Sequence, residues 1–258
     1  MEEKIAKSLT EIEAEHHVKV IYACEAGSRA WGVASAESDY DVRFIYLHPV
    51  SWYLSIEQKR DVIEMPIDHK LDIVGWDLKK ALLLLKKSNP PLLEWLQSSI
   101  VYTEHSSVVN DLRVLAQKTF SEKSCLFHYL NMAKRNAKRG FDEKIIKVKQ
   151  LLNVVKPLLA CKWIEKNHSM SPNEIQVLLD GTVKDSRLYS EIEKLVSDKQ
   201  NRIQQVGIHH VDGLLQYIFE EIERLSEYVK TVENRKDLYD QIDTYFLSVL
   251  KQIWGNKW

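Results

Sequence analysis

The chain is poor in residues that break or staple structure: its 258 residues include 8 glycines, 6 prolines and 3 cysteines. So little glycine and proline excludes long disordered tracts. Cys24, Cys125 and Cys161 are far apart, odd in number and without metal-ligand spacing, which excludes a disulfide framework and a zinc site and marks them as reduced core residues. No apolar run approaches the length needed to cross a bilayer. The segment Met1 to Ser8 is charged where a secretory signal would be apolar, so the expectation is a cytoplasmic protein with no membrane partner.

Neither sign of charge dominates, since 36 Lys and Arg face 37 Asp and Glu, and whole-chain charge offers RNA no general attraction. One stretch departs from that balance. Between Asn131 and Pro157, Lys134, Arg135, Lys138, Arg139, Lys144, Lys147, Lys149 and Lys156 face only Asp142 and Glu143, a local charge of +6. A polyanion would find a docking surface there, although a solvated helix face accounts for any one of these lysines alone.

Hydrophobic residues at 45% and charged residues at 28% describe an ordinary globular chain, long enough for one domain or two. Periodicity predicts a helix over 2–16, strands over 18–25, 40–47, 61–67 and 70–74, and a short amphipathic stretch over 52–58. Pro66 confines its strand to an edge or shortens it. From Asp77, placed as an N-cap, the pattern turns helical: 78–87, a short helix over 91–96, then, after an extended stretch at 100–103, helices over 106–119, 122–139, 143–166, 173–180, 186–200, 209–232 and 236–253. Strands first and helices afterwards predict an α+β chain, a small mixed sheet with flanking helices (1–115) followed by an all-helical C-terminal domain (116–258).

The chemistry concentrates in Gly27-Ser28-Arg29-Ala30-Trp31-Gly32 and Ser38-Asp39-Tyr40-Asp41-Val42-Arg43. Alternation along a strand sends Asp39 and Asp41 to one face, close enough to share divalent cations. Mg²⁺ suits them, being held by one or two carboxylates plus the phosphates of a bound nucleotide. Asp72 interrupts the apolar run Leu71 to Val74 and is the choice for a third carboxylate on a neighbouring strand, ahead of Asp68 in its turn-like setting. Gly27 permits a sharp turn whose N–H groups, with the Ser28 hydroxyl and Arg29, would bind phosphate oxygens. Arg43 shares the alternation of the two aspartates, to pair with phosphate or carboxylate. Taken singly, a Gly-Ser turn and an Asp-x-Asp are also ordinary turn and cap chemistry. Trp31 and Trp76 could stack on a base, and core or hinge packing is the preferred reading.

Gly27-Ser28, the spacing to Asp39-x-Asp41, and Asp72 resemble the signature of the nucleotidyltransferase superfamily that includes DNA polymerase beta and poly(A) polymerases. The longer strings EAGSRAWGVASAESDYDVRFIYLHP, DIVGWDLKKALLLLKKSNPPLLEWLQSSIVY and KPLLACKWI resemble bacterial nucleotidyltransferases of the YcgL type, an RNA-repair-pathway polymerase-beta family. The resemblance implies a mixed sheet carrying Asp39, Asp41 and Asp72, a helical C-terminal domain, two Mg²⁺ ions (Mn²⁺ as the alternative) and a nucleoside triphosphate donor, ATP included. It also favours an RNA 3′ end as acceptor. His128, Tyr129, Asn131, Lys134 and Lys149 are candidates to bind base or triphosphate from the second domain, with packing the equal alternative for His128 and Tyr129. A protein-modifying or antibiotic-modifying transferase and a non-catalytic nucleotide-binding regulator are the alternatives.

Overall fold

The computed structural model describes residues 1–138, 145–233 and 239–255. In chain order the elements are α1 (Glu2–His16), β1 (Lys19–Glu25), α2 (Gly27–Ala30), β2 (Tyr40–Leu47), α3 (Val50–Tyr53), β3 (Val62–Glu64), β4 (Leu71–Asp77), α4 (Leu78–Lys86), α5 (Pro90–Leu96) and β5 (Val101–Glu104). There follow α6 (Ser106–Thr119), α7 (Glu122–Lys138), β6 (Ile145–Lys147), α8 (Val148–Asn167), α9 (Ile175–Thr182), α10 (Ser186–Gln200), β7 (Gln205–Gly207), α11 (Asp212–Thr231) and α12 (Tyr239–Trp254). The expected α+β class holds. No helix among the described residues is long and apolar enough to cross a membrane.

Two compact units form: Met1–Gly27, Asp39–Phe120 and Lys236–Trp258 make one, Ser28–Ser38 and Ser121–Arg235 the other. This is not a single cut at residue 115. The C-terminal helix α12 joins the sheet unit because Tyr245, Val249 and Leu250 find burial there, and the Tyr245 hydroxyl donates to Val108 O of α6 at 3.0 Å. Amphipathic periodicity declares that a helix docks, and is silent on where.

In the sheet unit the strand order is β3-β4-β2-β1-β5, with β2 and β4 parallel and the other neighbours antiparallel. Ile5, Leu9 and Ile12 of α1 recur on one helical stripe and cover one face of the sheet, against Val42, Phe44 and Tyr46 of β2 and Leu71 and Ile73 of β4. By alternation Asp41, Arg43 and Asp72 lie on the other face. Pro66 does cut its strand short: β3 ends at Glu64. Asp77 caps α4 by accepting from Lys79 N at 2.8 Å and takes the Tyr53 hydroxyl at 2.6 Å, while burial pushes its carboxyl up to about 6. Trp76 stacks on Trp95 with ring centroids 3.8 Å apart.

Gly75 faces Phe44 across the parallel ladder, and a Cβ there would come within 2.2 Å of the fully buried Phe44 ring. Gly75→Ala is therefore expected to destabilise the protein by about 1–3 kcal/mol through overpacking, read as a lower urea midpoint at unchanged slope.

Among its described residues the other unit is helical with one exception to the all-helical expectation: Ile145–Lys147 and Gln205–Gly207 pair as a two-stranded antiparallel ladder. The helix expected from residue 143 begins at Val148 instead. Three-residue strands are too short to show a period, and Ile145-Ile146 reads equally well as a buried helix start. Within α8, Pro157 has no N–H for the carbonyl of Asn153, four residues back. Asn136 of α7 supplies the missing donor, its Nδ2 lying 2.9 Å from Asn153 O. Of the basic run, Arg139 and Lys144, together with Asp142 and Glu143, lie outside the described residues, as do the starts expected at 143 and 236.

Candidate active site

Strand β1 is apolar and buried from Ile21 to Cys24, then ends in Glu25, which has no exposed surface. A carboxylate taken fully out of water requires hydrogen-bond donors. Glu25 has them: the Asp41 N–H donates to its Oε1 at 2.8 Å and the Tyr102 hydroxyl to its Oε2. Its backbone is held as well, with Glu25 N donating to Ile100 O at 2.9 Å and Ser98 Oγ donating to Glu25 O at 2.7 Å. The Ala26 N–H then donates to Asp41 O at 2.8 Å, so both main-chain polar groups of Asp41 are fixed from the end of β1. Glu25 escaped the sequence reading, although an acid closing an apolar strand two residues before a Gly-Ser pair is a visible signal of this arrangement.

At Gly27 the chain turns with φ +58°, and a Cβ built there would lie 2.0 Å from Asp41 Oδ2. Only glycine leaves room for that carboxylate. Asp41 is the parallel register partner of Asp72, and Arg43 reaches both: its Nη2 lies 3.3 Å from Asp41 Oδ1 and 2.8 Å from Asp72 Oδ2. The guanidinium also donates through Nη1 to Val42 O at 3.0 Å and Asp72 O at 3.2 Å. Two carboxylates on adjacent strands repel, and the shared guanidinium between them supplies the counter-charge and fixes their orientation.

Asp39 is exposed immediately ahead of β2, two residues before Asp41. Among the described residues, no three His, Cys, Asp or Glu side chains are gathered as a ready cation site. What the fold brings together is the pair Asp41 and Asp72 over the bare Gly27 backbone. That pair of hard oxygen donors fits Mg²⁺, whose remaining positions are ordinarily filled by water and substrate phosphate. Asp68 is engaged elsewhere, in an exposed ion pair with Lys4 that holds its carboxyl below the usual range.

Ser28 and Arg29 follow Gly27 in α2, and Arg29 Nη2 donates to Ser38 O at 2.8 Å. Lys149 is exposed in the first turn of α8. His128, Asn131, Lys134, Arg135 and Lys138 line a surface cavity of about 470 Å³ along α7, and Tyr129 is buried on the same helix.

A model of the RNA repair pathway DNA polymerase beta family matches residues 1–248. The protein YcgL of Bacillus subtilis (strain 168) is 43% identical over 256 residues, which cover 98% of each chain. Among solved structures, a nucleotidyltransferase-like protein from Exiguobacterium sibiricum 255-15 aligns over 97% of this chain and 88% of its own at 15% identity, with a TM-score of 0.31.

Proposed function

The chain belongs to the RNA repair pathway DNA polymerase beta family, and from that premise we propose that it is a metal-dependent nucleotidyltransferase. It transfers a nucleoside monophosphate from an NTP to an acceptor hydroxyl, an RNA 3′ end. The observation that carries this reading is the Asp41 carboxylate resting on the Gly27 backbone, in register with Asp72.

The hydroxyl oxygen of the acceptor attacks the α-phosphorus, the bond to the bridging oxygen of the β-phosphate breaks, and pyrophosphate leaves. Asp72 takes the hydroxyl proton. Gly27, Ser28 and Arg29 hold the triphosphate through backbone N–H groups, hydroxyl and guanidinium, which fixes the α-phosphorus for attack. Arg43 keeps Asp41 and Asp72 oriented. Asp39, Asp41 and Asp72 would hold Mg²⁺, two ions with Mn²⁺ as the alternative, whose chemistry is to neutralise charge on the transferring phosphoryl group. Lys149, an exposed cation in the first turn of α8, is assigned to the nucleotide from the second domain.

For an RNA acceptor the support is the cationic surface of α7, where Lys134, Arg135 and Lys138 line a common cavity with no acid among its described lining residues. Lys134→Glu combined with Lys138→Glu is expected to weaken binding of a single-stranded RNA end by about tenfold near 0.1 M salt and to flatten its salt dependence. Fluorescence anisotropy across a salt series checks this.

The test of the reaction itself is incubation with each α-³²P-labelled NTP, Mg²⁺ and an RNA oligonucleotide, following pyrophosphate and label. Label on the RNA 3′ end is the expected result. Label confined to protein or to a small molecule overturns the acceptor, and NTP binding without pyrophosphate release overturns catalysis in favour of a nucleotide-binding regulator.

A further inference from the structure

Lys156 lies within α8 and is only 2% exposed. Lysine is almost never buried so completely, since its ammonium must be compensated where water is excluded. Part of that compensation is the face of Trp31, whose ring centroid is 4.4 Å from Lys156 Nζ, well inside the range of a cation–π contact. Trp31 belongs to the segment Ser28–Ser38, which clusters with the helical unit and carries Ser28 and Arg29.

That segment is gripped at several further points. Ile175 N donates to Trp31 O at 3.0 Å, and Gln200 Nε2 donates to Gly32 O at 2.9 Å. Within the segment, Gly32 N donates to Arg29 O at 3.0 Å and Val33 N to Ser28 O at 2.9 Å, closing the turn on itself. Arg202 pairs with Glu37 at 3.0 Å, an exposed contact that contributes little. Of these grips, Lys156 alone is a charge buried in the helical core, and it meets the one aromatic side chain of the turn.

We propose that Lys156 is a positioning residue for the phosphate-holding turn, acting through Trp31. Buried as it is, its ammonium sets the conformation of residues 28–33 and does not itself bind the triphosphate. This role rests on the nucleotidyltransferase reading above, but the physical tether it requires does not.

Two measurements on the full chain separate these. In the pyrophosphate-release assay, Lys156→Met is expected to raise KM for NTP about tenfold with kcat changed less than about threefold, while Lys156→Arg, which keeps a cation on the ring, stays near wild type. Under native conditions trypsin is expected to cut after Arg29 about tenfold faster in Lys156→Met than in wild type or Lys156→Arg, the product being identified by mass spectrometry. Unchanged cleavage at Arg29 in Lys156→Met overturns the proposal, as does a loss confined to kcat. If wild type turns over no NTP, the nucleotidyltransferase reading falls and the cleavage rates alone decide whether Lys156 holds the turn. Should Lys156→Met fail to fold, Trp31→Leu removes the contact from the other side: faster cutting after Arg29 supports the tether, and wild-type cutting overturns it.

Discussion

Asp41→Asn is expected to lower pyrophosphate release by at least about a thousandfold while the protein keeps its fold, because phosphoryl transfer draws its rate from charge placed around the transferring group. The amide matches the carboxylate in shape and retains a hydrogen-bond acceptor, but it cannot balance a divalent cation. Little stability is at stake in the change. The Arg43 contact to Asp41 is long at 3.3 Å and partly exposed, whereas the shorter bond at 2.8 Å goes to Asp72 and survives. Loss of a partly exposed pair costs about 0–1 kcal/mol. Circular dichroism melting and pyrophosphate release on the same sample separate the two effects. Near-wild-type turnover in Asp41→Asn would contradict the assignment of Asp41 to the reaction.

Gly27→Ala should damage both stability and activity. Its φ of +58° disfavours any side chain, and the added Cβ would overlap Asp41 Oδ2 at 2.0 Å and Cγ at 2.8 Å. The left-handed backbone costs about 1–2 kcal/mol and the overlap a similar amount, for a total of about 2–4 kcal/mol. Activity should fall beyond what unfolding explains, since relief of the overlap moves the Asp41 carboxylate. Gly32→Ala is the control for stability: φ there is +75°, yet nothing lies within 4 Å of the added Cβ, so only the backbone strain of about 1–2 kcal/mol is expected. Equal urea midpoints for the two variants would show that no overlap with Asp41 exists.

Much of this arrangement is legible in the sequence for simple physical reasons. The stripe of Ile5, Leu9 and Ile12, the strand over 40–47 and the Asp77 cap are local patterns, and local patterns survive into the fold. The parity of Asp41 and Asp72 on their strands was readable too; their side-by-side register was not, because pairing between strands thirty residues apart depends on the sheet order. Glu25 was missed because its importance comes from what surrounds it, a Tyr102 hydroxyl and the Asp41 N–H, each distant in sequence. The docking of α12 and the pairing of β6 with β7 were beyond reach for the same reason: both are long-range choices among partners that look alike from within a short window.

The proline inside α8 has a consequence for the helix beside it. A carbonyl orphaned by Pro157 and answered by one amide from Asn136 works as a detent: sliding α7 along α8 by a turn would take that donor away from a partly buried oxygen. The longitudinal setting of α7, and with it the level along α8 at which Lys134 and Lys138 present their ammonium groups, is thereby indexed to a single notch.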